Sequence, residues 1–580
     1  MRSVGIAWWR GALQVTPQRS MLSRGPGAAA PPVTTADIVI VGGGTAGCVL
    51  ASRLSEDPRR RVVLLEAGPD VGIATPPDII DVFPRAYANP AYFWPDISAR
   101  TTAQGSSQPF TQARLLGGGS SVMGMWALRG LADDFDGWVA VGARGWSFAE
   151  VLPYFRKLEH DFDYGGPLHG TDGPISIRRI DRSLWPTFTN ALVAAAESRG
   201  YGFRPDLNAS DADGTFPLPL SADDAGRASS VRYLDASVRR RSNLVIMANC
   251  IVDKVLFDGR RATGIAFHQE GHEPSVIDAA RVVVTGGAIH SPRLLMQSGV
   301  GPAADLAALG LDVIANAPGV GQNLQNHVFL HLGCIVKPLA RHSAELPHYI
   351  TSCVRLSSGE EGAPASDLMF GFITRPGAHR FGNRVALIGV HLYAPLSRGR
   401  IGLRRTADGL QPEIDFRLLD HASDCRRLAI AAQIAADLLR DPGVADLARE
   451  PFIVPPHAPV RALNAPGFKS VLYNWGLAAA AALPAPALRA GLKMVLGADM
   501  LLAGLNAGEV GERALASAMP MFHLAGTCAL GSVLDPDTSV RGVERLYVAD
   551  ASAMPVVPRA NTNIPTIMLA ERAADLIGHA

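Results

Sequence analysis

Asp37-Ile38-Val39-Ile40-Val41-Gly42-Gly43-Gly44-Thr45-Ala46-Gly47 is the stretch on which the reading of this chain turns. Four apolar residues in a row read as a fully buried strand, the glycines as a tight turn, and the succeeding Cys48-Val49-Leu50-Ala51-Ser52-Arg53-Leu54 as a helix. Each glycine answers a different demand. Gly42 permits the turn, Gly44 lets backbone approach a pyrophosphate, and Gly47 lets the helix pack close to the strand. Thr45 and Ala46 then sit at the helix N-terminus, which faces the phosphates. A second strand, Arg61-Val62-Val63-Leu64-Leu65, runs into Glu66-Ala67 at the spacing where a carboxylate accepts hydrogen bonds from the adenosine ribose hydroxyls. Strand, glycine turn, helix, strand and carboxylate together predict dinucleotide binding and leave FAD and NAD both open.

Outward from this motif, composition sets bounds. The chain has 580 residues, 48% of them hydrophobic, which exceeds what one simple core accommodates and predicts two or more domains. Its 54 Lys+Arg against 53 Asp+Glu leave a formal charge of +1, so the basic excess that nucleic-acid binding requires is missing. Six cysteines without a C-x-x-C pair give neither a zinc site nor a disulfide framework, and no metal site is expected. A reducing, cytoplasmic setting is the default. Residues 1–36 hold four arginines and no Asp or Glu, which fits a targeting leader or a reading frame begun upstream of Met21; they are excluded from the fold. The weakly polar stretch 470–488 is interrupted by Asn474, Pro484 and Pro486 and followed by Arg489 and Lys493. It reads as a buried or lid-like element and not a membrane span, with a weak peripheral membrane contact as the second reading.

Three further segments carry more. The first is Ala113-Arg114-Leu115-Leu116-Gly117-Gly118-Gly119-Ser120-Ser121-Val122-Met123-Gly124-Met125. The second is Gly287-Ala288-Ile289-His290-Ser291-Pro292-Arg293-Leu294-Leu295-Met296-Gln297-Ser298-Gly299-Val300-Gly301, preceded by the strand Val282-Val283-Val284 and followed by Pro318-Gly319-Val320-Gly321-Gln322-Asn323-Leu324-Gln325. The third comprises His523-Leu524-Ala525-Gly526-Thr527-Cys528, Leu546-Tyr547-Val548-Ala549-Asp550-Ala551-Ser552 and Asn561-Thr562-Asn563-Ile564-Pro565-Thr566. Read for their residues alone, the glycine-rich stretches are turns at helix starts and carry no function. In this order and with the opening motif, however, the segments resemble the glucose-methanol-choline (GMC) family of flavoprotein oxidoreductases, over nearly everything from 37 to 580.

The resemblance implies an α/β fold: a Rossmann-like FAD-binding domain with an interleaved antiparallel-sheet substrate-binding domain, an α+β cap. Residues 37–150, 208–325 and 520–580 would form the FAD-binding domain, and 151–207 and 326–519 the cap. It places Leu116, Gly117, Gly118, Ser121, Val122, Met123, Gly124 and Met125 along the flavin. Val252 would meet the adenine through its backbone, while Phe522, Asp550, Ala551, Asn561 and Thr562 complete the cofactor site. Val122 stands where some choline-oxidising members carry a histidine bonded to FAD, so attachment here is expected to be non-covalent. Met123 replaces the usual Asn or His of the first signature, a thioether with no strong hydrogen bond to offer.

For the chemistry, the resemblance makes His523 the catalytic base and Asn561 its substrate-orienting neighbour. Oxidising an alcohol requires loss of the hydroxyl proton as hydride leaves the adjacent carbon, and an imidazole of unperturbed pKa about 6.5 suits that task at neutral pH. His327 and His169 read as structural, and Cys528 as a small buried residue. Phe93-Trp94-Pro95-Asp96, the triple glycine 117–119, Asp161-Phe162-Asp163-Tyr164-Gly165 and Ala560-Asn561-Thr562-Asn563 resemble the bacterial aryl-alcohol-type oxidases of the family. The expected substrate is a small primary alcohol on a flat aryl or furanic ring, with O₂ as acceptor and Phe522, Trp94 or Trp126 as stacking partners. The alternatives are a dehydrogenase of choline or aliphatic alcohols with a quinone-type acceptor, and a non-redox FAD-containing lyase.

Overall fold

Strand β1 (Thr35–Val41) lies at the centre of a mixed seven-stranded sheet, and it does so because both of its faces are apolar: Ile38, Val39 and Ile40 are fully buried. The computed structural model describes residues 33–72, 76–80, 83–343, 346–407, 409–456 and 463–579. β1 begins two residues before the expected start at Asp37, with Thr35 and Ala36 registered against Asp278 and Ala279. The leader reading for 1–36 falls otherwise almost wholly outside the described residues. Beyond β1 come helix α1 (Thr45–Leu54), β2 (Val62–Leu65), β3 (Leu244–Met247), β4 (Cys250–Asp258), β5 (Arg261–Gln269) and β6 (Ser275–Val284). Across the sheet the order is β3-β2-β1-β6-β5-β4, parallel from β3 through β6 and antiparallel beyond, with Leu546–Val548 added in parallel to the C-terminal half of β6.

Helix α2 (Gly287–Gln297) leaves the end of β6. A second seven-stranded sheet, wholly antiparallel, follows in the chain: β7 (Val328–Val336), β8 (Ile350–Leu356), β9 (Leu368–Ile373), β10 (Val385–Leu392) and β11 (Ala448–Ile453). Its order is β11-β7-β10-β9-β8, closed at one edge by Gly214–Pro217 on β8, while Met519–Pro520 pairs β7. Strands of this sheet interleave with the first in sequence, and the fold is the expected α/β arrangement with an antiparallel second part. The segment Gly214–Pro217, although it lies between 208 and 325, hydrogen-bonds into the second sheet.

Two helices, α3 (Phe468–Ala480) and α4 (Ala485–Leu496), stand over β7, β10 and β11 through a small core that includes Ile335, Val385, Phe452, Ala481 and Leu488. The stretch expected to be buried or lid-like is therefore a helical pair with much of its surface exposed. The last helix, α5 (Asn563–His579), packs along α1. That contact is fastened by Arg53, whose guanidinium donates to both oxygens of the fully buried Glu571 at 2.8–3.1 Å, and by the Tyr233 hydroxyl, which donates to Glu571 at 2.6 Å. A carboxylate buried without such partners would be strongly destabilising, so these donors are what allow Glu571 into the core.

Candidate active site

Two of the tasks read from the glycine spacing, the tight turn and the close helix packing, are visible in the turn. Gly42 has φ +110°, and a side chain there would strike the Thr285 carbonyl; one on Gly47 would overlap the Gly42 carbonyl oxygen. Gly44 is different. Its φ of −71° suits any residue, and a Cβ there would meet nothing within 4 Å, so the space beside the helix start is kept clear of protein. Gly44 is also the N-cap of α1 and no side chain caps that end, leaving Thr45 and Ala46 at an N-terminus available to an anion.

Glu66 closes the other side. Its Oε2 accepts from the Gly43 amide at 2.7 Å and its Oε1 from Gly68 at 2.8 Å, which fixes the carboxylate beside the turn with lone pairs remaining for hydroxyl donors. Burial pushes its pKa up, against the opposing hydrogen bonds from Gly68 and Gly43 and the Arg114 charge. The Leu116-to-Met125 loop reaches the same place: the Gly117 amide donates to Gly43 O at 2.7 Å, and a side chain on Gly118, at φ +53°, would put its Cβ 3.0 Å from Gly44 Cα. Thr45 Oγ1 donates to Asn563 Oδ1 at 3.2 Å, bringing in the start of α5 just after Asn561 and Thr562. Ser121 Oγ donates to Leu116 O, and Met125 holds φ +65°, so the loop is shaped by its own bonds and, beside its glycines, by one non-glycine residue at positive φ. Uncapped amides, a cleared Gly44 and a pinned carboxylate are the donor and acceptor set that an FAD pyrophosphate and ribose require, and the residues fit that cofactor.

Asp550 and Ala551 take a supporting position. The Asp550 carboxylate accepts from the Gly287 amide (2.8 Å), Ser291 Oγ (2.5 Å) and the Ser552 amide (2.7 Å), tying the start of α2 to the loop after Leu546–Val548. Burial raises the Asp550 pKa against those bonds. Val252 lies on β4, the edge strand, whose first residue Cys250 donates its amide to Glu66 O. Arg227 was not anticipated. Its guanidinium, buried with no carboxylate on it among the described residues and its pKa lowered to about 10 by burial, donates to Met123 O (2.6 Å) and Ser120 O (3.2 Å), bracing the loop at the residue where the signature departs. A lone arginine in a loop gives no sequence signal of such a role.

Sheet register assembles the histidine centre. Val328 pairs with Leu392, so His327 and Tyr393, the next residues along their strands, stand side by side and their rings stack at 4.5 Å and 27°. His523 arrives from the segment after Met519–Pro520 and is held there by Asn326, whose Oδ1 accepts from the His523 amide (3.1 Å) while its Nδ2 donates to Met521 O (2.6 Å). His523 Nδ1 lies 2.9 Å from His327 Nδ1. The Tyr393 hydroxyl donates to Asn561 Oδ1 at 2.6 Å. His523 and Asn561 thus share one buried polar group through His327 and Tyr393. His391 lies beyond Tyr393 at 5.7 Å, with Trp126 edge-on to it at 5.3 Å. Burial lowers His523 well below its ordinary value, helped by His327, and takes His327 and His391 to about 3. All three imidazoles are neutral at pH 7.

His327, read from sequence as structural, is in contact with the expected base. Tyr393 and His391 left no trace in the sequence. Of the aromatic candidates, Phe522 joins Tyr87 (5.6 Å) and Phe110 (5.8 Å), and Trp126 donates to the Tyr349 hydroxyl (2.7 Å) within reach of His391. Trp94 instead packs on His290 (4.5 Å) beneath Arg114. His169 sits in a buried network: Arg129 with Glu159, Arg179 with Asp161 and Asp206, and the imidazole against all three carboxylates. Glu159, Asp161 and His169 are spaced as metal ligands would be, but two guanidinium groups already neutralise them. Burial opposes the imidazolium, yet hydrogen bonds to Asp161, Asp206 and Glu159 outweigh it and hold His169 at about 10. Cys528 is buried and its thiol raised well above the ordinary range by burial, so it is unreactive.

Comparison with known proteins agrees with this geometry. The family model for GMC oxidoreductases matches residues 36–329 with its N-terminal part and 395–570 with its C-terminal part. A 5-(hydroxymethyl)furfural oxidase of Methylovorus sp. (strain MP688) is 38% identical over 94% of this chain and 99% of its own length. The mitochondrial choline dehydrogenase of Homo sapiens is 31% identical over 93% and 89%. Among solved structures, pyridoxine 4-oxidase from Mesorbium loti superposes with TM-score 0.75 at 25% identity, covering 94% of this chain and 100% of that one.

Proposed function

This chain belongs to the GMC oxidoreductase family and is an FAD-dependent enzyme acting on CH–OH donors, and on that premise we propose that it oxidises a small, uncharged primary alcohol on an aryl or furanic ring to the aldehyde, with His523 as base and O₂ as acceptor. Bound FAD supplies the hydride acceptor at its N5 and passes the electrons on. Gly42, Gly44, Thr45, Ala46, Gly47, Glu66 and Ala67 would hold its ADP half, and the Leu116-to-Met125 loop with Phe522, Asp550, Ala551 and Thr562 the remainder; Val252 would approach the adenine. Val122, apolar and fully buried, offers no nucleophile, which supports non-covalent attachment. The stretches 37–150, 208–325 and 520–580 supply these groups, in keeping with an FAD-binding part, and 151–207 with 326–519 would form the cap.

The observation that carries the reading is the 2.9 Å contact between two neutral Nδ1 atoms. Only one hydrogen fits between them. With His523 Nδ1–H donating to His327 Nδ1, the opposite nitrogen, Nε2, keeps a lone pair free to take the hydroxyl proton. Asn561, its Oδ1 fixed by Tyr393, would offer its amide Nδ2–H₂ to the substrate oxygen. The preference for an uncharged alcohol over choline rests on charge. Among the described residues no carboxylate acts on His523, His327, His391 or Tyr393, so nothing there balances a quaternary ammonium.

Anaerobic mixing with aryl, furanic, aliphatic and amino alcohols tests the proposal. Aryl and furanic alcohols should bleach the flavin band and release peroxide under air. Turnover with a dye but no peroxide would replace O₂ by a quinone-type acceptor, and no bleaching by any alcohol would point to the lyase.

A further inference from the structure

Helix α3 is built inside out. The residues it turns toward the protein include Ser470 and Asn474, both buried, whose side chains donate to Leu463 O (3.1 and 2.8 Å). On its outer side Phe468, Leu472 and Trp475, spaced i, i+4, i+7, form an apolar stripe 74, 54 and 52% exposed. α4 buries the apolar Leu488 but extends the exposed apolar surface with Met494 (84%) and Val495, and Leu483 is exposed in the turn between the two helices. A soluble surface helix ordinarily places these residue types the other way round.

The charges on the two helices themselves have one sign. From 451 to 498 the sequence has no Asp or Glu, while Lys469, Arg489 and Lys493 lie on the two helices. Arg489 is paired with Glu450, and the lysines are exposed. The neighbouring stretch 374–384, whose Phe381 packs into the core beneath the helices, has Arg375, Arg380 and Arg384 and no acidic residue, and the Arg380 guanidinium sits 4.4 Å over the Trp475 ring.

We propose that the outer face of α3 and α4 docks on an anionic phospholipid surface, the apolar stripe entering the interface and the cations meeting the headgroups. A large exposed apolar face ringed by Lys and Arg, with Trp and Tyr at its level, is the chemistry that binds such a surface. Among the described residues no helix is long and apolar enough to cross a membrane, so the contact is peripheral. A second copy of the same face is the poorer occupant, because two-fold pairing would set cations against cations.

Sedimentation of the FAD-loaded full chain with vesicles tests this, comparing pure phosphatidylcholine with an equal mixture of phosphatidylcholine and phosphatidylglycerol. Binding to the mixed vesicles should be stronger by about tenfold and should weaken with salt. The double variants Leu472→Ser/Trp475→Ser and Lys469→Glu/Lys493→Glu should each lose it while keeping flavin content and alcohol turnover. Equal binding to both vesicles, or full binding by Leu472→Ser/Trp475→Ser, would overturn the proposal. So would light scattering that finds a dimer which Leu472→Ser/Trp475→Ser splits.

Discussion

His327 acts on substrate only through His523, which makes it a positioning residue with a measurable signature. Burial first, and the adjacent His327 second, keep the His523 imidazole neutral far below pH 6.5, so kcat/KM in the wild type should stay level as pH falls toward 5. In His327→Ala water enters and the neighbouring ring is gone. His523 then titrates nearer its ordinary value, and the acid limb of kcat/KM should move up toward pH 6.5, with kcat down roughly ten- to a hundredfold. His327→Asn retains a polar group close to the Nδ1 position and should recover part of the loss; flavin content should be unchanged in both. An unmoved pH profile would show that His327 is structural after all. The partnership was illegible in sequence for a plain reason: residues 327 and 393 become neighbours through the register of β7 against β10, and 523 and 561 join them from distant segments, which no local pattern encodes.

At the scale of the element, the turn into α1 separates two kinds of glycine that the motif alone treats alike. Gly47 is required by the protein itself, since a Cβ would overlap Gly42 O; Gly47→Ala should lose roughly 2 kcal/mol or more of stability and fold poorly. Gly44 has an ordinary φ and clear space around it. Gly44→Ala should therefore melt within a degree or two of wild type once flavin is removed, yet bind FAD on the order of tenfold more weakly, as read by flavin fluorescence. Equal loss of stability in both variants would refute the distinction. This element was the most legible part of the chain, because strand, turn, helix and Glu66 are all local and each residue type follows from one backbone requirement. For 470–488, read as buried or lid-like, the burial alternative failed, because α3 turns its polar residues inward and leaves apolar ones exposed.

Over the whole molecule, part of the buried charge is gathered into closed networks. Around His169 stand Glu159, Asp161 and Asp206 on one side and Arg129 and Arg179 on the other, with the Tyr164 ring 5.6 Å away. Since the folded pKa of His169 is raised to about 10, its stabilisation is complete below pH 6.5, declines between 6.5 and 10, and is gone above. Denaturant melts of wild type and His169→Gln should differ by about 3 kcal/mol at pH 6 and converge near pH 10. A difference independent of pH would mean that the imidazole packs there uncharged. The sequence placed His169 as structural but gave no hint of the network, whose members come from five separated segments.

The Arg53–Glu571 pair spans 518 residues, and the flank of α1 on which α5 packs stays uncovered until α5 is made. During synthesis at roughly 5 to 20 residues per second, about half a minute to two minutes separate the emergence of the two partners. For that interval the nascent chain presents the apolar flank of α1, Glu571's future site, to whatever else the ribosome exit offers. Production of this enzyme should thus respond more to translation speed and holdase chaperones than the stability of its finished fold would suggest.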